Sequence, residues 1–413
     1  MTEAADEPRP RPLKQEQQGA STEVTEVGPS VLRLQIPIFF SGLGHVNCYA
    51  LVDGRGATIV DAGMPGRATW QALGTRLKAA GLQVSDVHTV IVTHSHPDHF
   101  GSAGRLAHEA GAELVTERRF HTWLEPNAMA AFPRPSTALG PASATAGNDP
   151  HAGHVHAAGP DACSELLVPS AAGDEAGAEG EGDEVAVDDD TGFFSIKSAE
   201  TPWGGSPIPH LRRSIWMTRL ARWHLLPYMR PPVPTHFVRG GDHLRLAGRD
   251  WEVLHTPGHT GDHVCLFDAE AKLLLSGDHV LPTITPHVPG LSPLADPLGS
   301  YLESLQGLRR LGEVSLVLPA HGQPFADLPG RIDSIVAHHE GRLDELRRIS
   351  AALGPATVVE LSRELFRPAV WGMMAESETY AHLEYLRLRG QAERMGVGAA
   401  TSYRVEPESA QLS

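Results

Sequence analysis

Three imidazoles and a carboxylate fall within six residues at His94, His96, Asp98 and His99, directly after the apolar stretch Thr89-Val90-Ile91-Val92. Imidazole nitrogens and carboxylate oxygens suit zinc, iron and manganese, and a cluster of them retains a metal where one side chain does not. Three more ligand-type residues each follow a strand-like apolar run: His259 in Thr-Pro-Gly-His-Thr, Asp278 in Ser-Gly-Asp-His and His321 in Pro-Ala-His-Gly. Seven such residues at four strand ends point to two metal ions side by side.

The spacing supports a divided site. His94 and His96 are two apart, so an extended backbone points both rings the same way. Pro97 stiffens the turn that follows. Adjacent side chains diverge, so Asp98 and His99 are expected to reach a second point. Gly258 and Gly322 permit tight turns beside His259 and His321. Two dications ~3.5–4 Å apart can share a hydroxide, lower its pKa towards neutrality and stabilise an oxyanion as Lewis acids. Such a hydroxide attacks a carbonyl or a phosphorus, with Asp98 as ligand and proton shuttle. No Ser or Cys nucleophile is needed, and no nucleophile-elbow motif occurs. The chain has 23 histidines, so the weight lies on the ordered set and not on any single ring. His151, His154 and His156 have ligand-like spacing but sit in low-complexity sequence, where solvated residues are expected. His224, His236 and His243 are read as bystanders. His263, His279 and His287 lie near the motifs as possible partners of ligands, and His338-His339 can either approach the site or pack.

These residues need strands that end together. Val31–Ile36, Val46–Val52 and Ala57–Val60 read as strands, with Asp53-Gly54-Arg55-Gly56 as a turn. Arg67–Ala80 has helical spacing and stops at Gly81. Val87–Thr93 is a strand, and Phe100–Ala110 a helix just past the histidine cluster. Strands resume at His243–Leu246, Trp251–Leu254, Val264–Phe267, Lys272–Leu275 and Val314–Leu318, with a helix over Tyr301–Leu311. Beyond Gly330 the pattern is helical over Arg331–Ser350, Thr357–Phe366 and Glu376–Arg389. A hairpin from Gly396 to Val405 then gives the order of a winged-helix module.

Composition sets the remaining bounds. The chain has 413 residues, 41% hydrophobic and 20% charged, ordinary for a globular protein. Of the net charge of −16, residues 171–190 supply nine acids without a Lys or Arg, which leaves about −7 elsewhere. That balance argues against broad nucleic-acid binding. Residues 1–29 are polar and are expected to be a disordered tail, and 134–200 a low-complexity, mostly disordered insertion. Over 208–229, Ile215, Leu220, Trp223 and Leu226 with neighbouring arginines fit either a cap over the site or a docked surface helix. Three cysteines without a C-x-x-C argue against disulfides and thiolate zinc. With no signal-like h-region and no apolar run of ~18 residues, a cytoplasmic location is expected.

The order H-x-H-x-D-H, His, Asp, His, each at a strand end, resembles the metallo-β-lactamase fold hydrolases, and within them the glyoxalase II and lactamase-like branch. The resemblance covers Val31–Pro324 except for residues 120–240. It implies an α/β fold, an αβ/βα sandwich over residues 30–330, followed here by the winged-helix-like region 331–413. It implies one metal on His94, His96 and His259, a second on Asp98, His99 and His321, and Asp278 between them. Asp61 in Val-Asp-Ala-Gly matches a structural aspartate of the family. Zinc is the expected metal, with iron or manganese as alternatives.

No sulfur ligand replaces Asp278, no Glu replaces His96, and no flavodoxin domain or β-CASP insertion is recognisable. These absences leave hydrolysis of a thioester, lactone or related ester as the leading expectation. The C-terminal region resembles the appendix of lactamase-like proteins that cut single-stranded RNA, with Arg387, Arg389 and Arg394 as a modest basic face. A single-strand endoribonuclease is therefore the second reading, and a non-catalytic nucleic-acid-binding regulator the third. The same module can instead wall the active site or form a homodimer contact.

Overall fold

The computed structural model describes residues 12–38, 42–121, 167–168, 201–204, 232–396 and 401–406. Seven strands form one sheet, in the order β1 (Val24–Gly28), β2 (Val31–Pro37), β3 (His45–Asp53), β4 (Gly56–Val60), β5 (Val87–Ile91), β6 (Glu113–Glu117) and β8 (His236–Val238). Six form a second: β13 (Leu316–Pro319), β12 (Leu273–Gly277), β11 (Val264–Asp268), β10 (Arg249–His255), β9 (His243–Leu246) and β7 (Leu167–Val168). The first sheet is antiparallel from β1 to β4 and parallel from β4 to β8. In the second only β12 and β13 run parallel.

Alternation along the strands builds the layers. On β3, Val46, Cys48 and Ala50 face a cluster containing Leu73, Leu77 and Leu106 of helices α1 (Arg67–Ala79) and α3 (Ala103–Ala110). Tyr49 and Leu51 of the same strand face Trp251, Val264 and Leu275 of the second sheet. On the far side of that sheet, Cys265, Leu274 and Val317 pack against Leu298, Tyr301 and Ile332 of α4 (Pro297–Arg309) and α5 (Leu328–Leu353). The result is helix, sheet, sheet, helix, an αβ/βα sandwich buried on both faces of each sheet.

Two local signals start the later helices. Asp296 caps α4 by accepting from Gly299 N–H, and Asp327 caps α5 by accepting from Gly330 N–H. The expected helix over 100–110 is divided into α2 (Pro97–Phe100) and α3. A Cβ at Gly101 would lie 2.2 Å from Pro65, so only glycine lets the chain pass there.

Beyond α5, β14 (Ala356–Thr357), α6 (Val358–Leu365), α7 (Met373–Leu388), β15 (Ala392–Met395) and β16 (Ser402–Val405) form a helical region with a small sheet ordered β14-β16-β15. Its core is continuous with that of α4, since Leu346, Leu361, Leu383 and Tyr403 join the cluster of Leu298 and Leu305. The three arginines expected as a basic face are engaged within the protein. Arg387 pairs with Glu384 at 2.8 Å. Arg389 pairs with Asp296 at 2.8 Å and lies over the Tyr385 ring. Arg394 donates to the Pro202 carbonyl.

The N-terminal segment departs from its expected disorder. Residues 12–28 are part of the fold, and Glu16 is fully buried. Its carboxylate accepts from Thr283 N–H at 2.7 Å, Ile284 N–H at 3.0 Å and the Thr283 hydroxyl. Polar composition concealed this because the acceptors serve backbone donors some 267 residues away. The expectations for 134–200, including His151, His154 and His156, and for 208–229 lie outside the described residues, β7 excepted. No helix among the described residues is long and apolar enough to cross a membrane.

Candidate metal centre

All seven candidate residues emerge where strands end on one edge of the sandwich. Residues 93–99 leave β5, and Pro97 opens α2 with His96 still extended before it. His259 follows β10, Asp278 directly follows β12, and His321 follows β13. Gly258 has φ +139°, and a Cβ there would lie 2.4 Å from Tyr301 Cα, so the turn into His259 requires glycine.

The side chains converge in two groups, His94, His96, His259 and Asp278 in one, and Asp98, His99 and His321 in the other. His96 Nδ1 lies 3.0 Å from both His94 Nε2 and His259 Nε2. Asp278 Oδ2 is 3.5 Å from His259 Nε2 and 3.9 Å from His94 Nε2. The same carboxylate reaches the second group, with Oδ1 3.2 Å from His321 Nε2 and Oδ2 3.6 Å from His99 Nε2. Asp98 Oδ2 lies 3.5 Å from His321 Nε2 and 3.7 Å from His99 Nε2.

Hydrogen bonds on the far ring nitrogens fix the tautomers. His259 Nδ1 donates to the His287 carbonyl at 2.7 Å, and His321 Nδ1 to the His45 carbonyl at 2.6 Å. A carbonyl only accepts, so both Nδ1 atoms carry the proton. His99 Nδ1 donates to Asp61 Oδ2 at 2.8 Å. The Thr93 hydroxyl donates to the same carboxylate, which leaves its lone pair for His94 Nδ1–H at 3.1 Å. In the neutral rings, Nε2 of all four is therefore a bare lone pair aimed at two carboxylates.

That donor set fits a cation. His96 Nδ1 carries at most one proton, which can serve only one of its two imidazole neighbours, so at least one contact between lone pairs remains in the neutral rings. His99 Nε2, His321 Nε2 and Asp278 Oδ1 are buried without a hydrogen-bond partner, a state that costs free energy unless positive charge resolves it. The proton equilibria carry the same message. Burial alone would lower His321, yet Asp278 and Asp98 beside it raise it to about 10. Burial likewise opposes the charged form of His99, but Asp61, Asp98 and Asp278 raise it well above the ordinary imidazole range. Asp278 is held well below the usual carboxylate range, against burial, by His321 and His99. Burial, then neighbouring imidazoles, lowers His94 far below the ordinary range and His96 to about 3.

Further residues fix this geometry from outside. Asp61 ends β4 at φ +60°, a left-handed conformation that Asp tolerates, and accepts from Thr93 N–H at 2.9 Å besides His99. Loop 287–291 is held by α7, since Gly290 N–H donates to Ser377 Oγ at 2.9 Å and His287 Nδ1 lies 3.3 Å from Glu378 Oε2. His279 is fully buried, and neither of its ring nitrogens has a hydrogen-bond partner. His338 and His339 belong to the helical region, where His339 Nδ1 meets His382 Nε2 at 3.1 Å. His243 and His236 stand apart on the sheets, His243 paired with Asp250 at 2.8 Å and His236 3.8 Å from Glu113. His45, Ser377 and Glu378 had no signal in the sequence, because their partners are remote in the chain.

Comparison with known proteins agrees with this architecture. Residues 41–321 match the family model described as the metallo-beta-lactamase superfamily. The chain is 24% identical over 367 residues to the probable metallo-hydrolase YqjP of Bacillus subtilis (strain 168), covering 86% of this chain and 92% of that protein. It is 34% identical over 113 residues to the lactamase-like protein nscB of Trichophyton equinum, a match that spans only 32% of the fungal protein. Among solved structures it is similar to the metallo-beta-lactamase family protein TTHA1429 of Thermus thermophilus, with TM-score 0.63, 28% identity, and 92% and 99% of the two chains covered. A beta-lactamase domain protein of Burkholderia ambifaria gives TM-score 0.64 at 26% identity, with 94% and 96% covered. The chain belongs to the metallo-beta-lactamase superfamily and is a metal-dependent hydrolase.

Proposed function

We propose that the chain binds two divalent ions and hydrolyses a thioester, lactone or related ester. In this reading His94, His96 and His259 hold one metal, Asp98, His99 and His321 the other, and Asp278 faces both. The observation that carries it is the convergence on two buried carboxylates of four Nε2 atoms, each the nitrogen left bare when its ring is neutral. Bound zinc, or iron or manganese in its place, supplies an ionised water as nucleophile and a Lewis acid for the carbonyl. The chain's own contribution is positional. Asp61 orients His99, the carbonyls of His45 and His287 orient His321 and His259, and Asp98 is placed to accept and return a proton at its carboxylate.

We assign residues 12–330, with β1 and the buried Glu16 included, to the hydrolase domain and 331–413 to a winged-helix-like module that walls one side of the site. Ser377 and Glu378 of that module, which hold loop 287–291, support this role over nucleic-acid binding. The engaged arginines weigh the same way. The cytoplasm is the proposed location, where the buried thiols Cys48 and Cys265 stay reduced.

The test is turnover by the zinc-loaded protein of S-lactoylglutathione, other acyl thioesters, a lactone panel and single-stranded RNA. Thioester or lactone turnover lost in Asp98→Asn supports the reading. RNA cleavage without ester turnover replaces it with the endoribonuclease, and RNA binding without turnover of anything replaces it with the regulator.

A further inference from the structure

We propose that His263 is a positioning residue, whose ring joins the base of the loop carrying His259 to the backbone amide of Asp278. The inference rests on the reading of Asp278 as a metal ligand. His263 is fully buried, and its ring centroid lies 5.0 Å from that of His94. Asp278 N–H donates to His263 Nε2 at 3.1 Å, and His263 Nδ1 lies 2.7 Å from Thr256 Oγ1. A backbone N–H can only donate, so Nε2 is the bare nitrogen and Nδ1–H donates to Thr256. The threonine proton is then free to turn to the His263 carbonyl or to Cys265 Sγ, each at 3.4 Å.

The link closes a loop. Thr256 N–H donates to the His263 carbonyl at 2.8 Å, so residues 256–263, with His259 near their middle, are pinned at their base. The same ring then takes the amide of the residue whose carboxylate faces both halves of the site. Gly277 permits the approach, since it has φ +50° and a Cβ there would lie 2.6 Å from His263 Nε2. One imidazole thereby fixes the distance between His259 and Asp278, two groups 3.5 Å apart that arise from different strands.

Three variants separate positioning from packing. His263→Gln can set its amide oxygen where Nε2 stands and keep the acceptor for Asp278 N–H. His263→Asn is also polar, but reaches only as far as Nδ1 and loses that acceptor. Thr256→Val leaves the ring and removes the partner that fixes its tautomer. Zinc affinity of each purified chain is read by chelator competition, alongside apo-protein melting and esterase kcat and KM at saturating zinc. The Asn variant should bind zinc about 10- to 100-fold more weakly, the Gln variant close to wild type, and Thr256→Val should show a smaller loss in the same direction. Should the Asn variant fail to fold, Thr256→Val against Gln carries the test. Equal zinc affinity in wild type, Asn and Thr256→Val overturns the inference, as does equal impairment of Gln and Asn, which would mean packing alone. A wild-type chain that binds no zinc overturns the reading of the site, and this inference with it.

Discussion

Asp61→Asn is the substitution whose consequence the geometry specifies most closely. The carboxylate serves three donors: Thr93 N–H at 2.9 Å, the Thr93 hydroxyl, and His99 Nδ1–H at 2.8 Å. Asparagine has the same shape and tolerates the left-handed backbone at φ +60°, so the chain path is retained. It offers one oxygen where the carboxylate offered two. If the amide NH2 faces His99, the ring must take the other tautomer, and its Nε2 then carries a proton instead of a lone pair. If the NH2 faces Thr93, a buried backbone N–H loses its acceptor. Either way one hydrogen bond to a charged group is lost, worth about 1.5–3 kcal/mol. When that loss falls on metal binding it becomes roughly 10- to 150-fold in affinity for the ion proposed to sit on His99. Chelator titration should therefore resolve one site near wild-type affinity and one weakened, with far-UV circular dichroism unchanged. Two sites of wild-type affinity in Asp61→Asn would refute the claim that the aspartate sets the His99 tautomer.

Three more outcomes are expected. Gly258→Ala puts a Cβ 2.4 Å from Tyr301 Cα at φ +139°; it should cost at least ~1–3 kcal/mol of strain and weaken metal binding as His259 shifts, read by melting and metal titration. Glu16→Gln should flatten the acid limb of stability: burial raises the Glu16 pKa, but hydrogen bonds from Thr283 and Ile284 outweigh it and hold the value below the ordinary range. A depressed folded pKa contributes stability above the unfolded value of ~4.3 and loses it as pH falls through the folded value, so melting curves of wild type and variant should converge at low pH and separate above it. Deleting residues 331–413 exposes Leu298, Tyr301 and Leu305, which share their core with that region; the shortened chain should show no cooperative melting, and a sharp transition would contradict a shared core.

The sequence made the candidate site legible where ligand-type chemistry coincided with the end of an apolar run. His94, His96, Asp98 and His99 are adjacent, and His259, Asp278 and His321 each follow a strand, so local pattern was enough to collect them. Strands β12 and β13 were legible because burial on both faces leaves nearly continuous apolar text, and β10 because buried Trp251 and Val253 alternate with more exposed residues. Three classes of feature were hidden. Glu113–Glu117 is a buried strand flanked by acids, so its run was too short to stand out. Val24–Gly28 alternates, but with polar neighbours and at the sheet edge, and it read as tail. The supports of the site were the least visible. Glu16 meets Thr283, and His45 meets His321, across more than 260 residues. A carbonyl that orients an imidazole leaves no side-chain signature at all.

Elemental analysis of the wild type and of His94→Ala and His321→Ala decides whether this cluster holds metal. The proposed binuclear site predicts about two equivalents in the wild type and a loss of metal in each variant, with the fold retained because the proposed ligands lie on loops at the sandwich edge. No transition metal in the wild type under any loading condition, or two equivalents kept by both variants, would contradict the account.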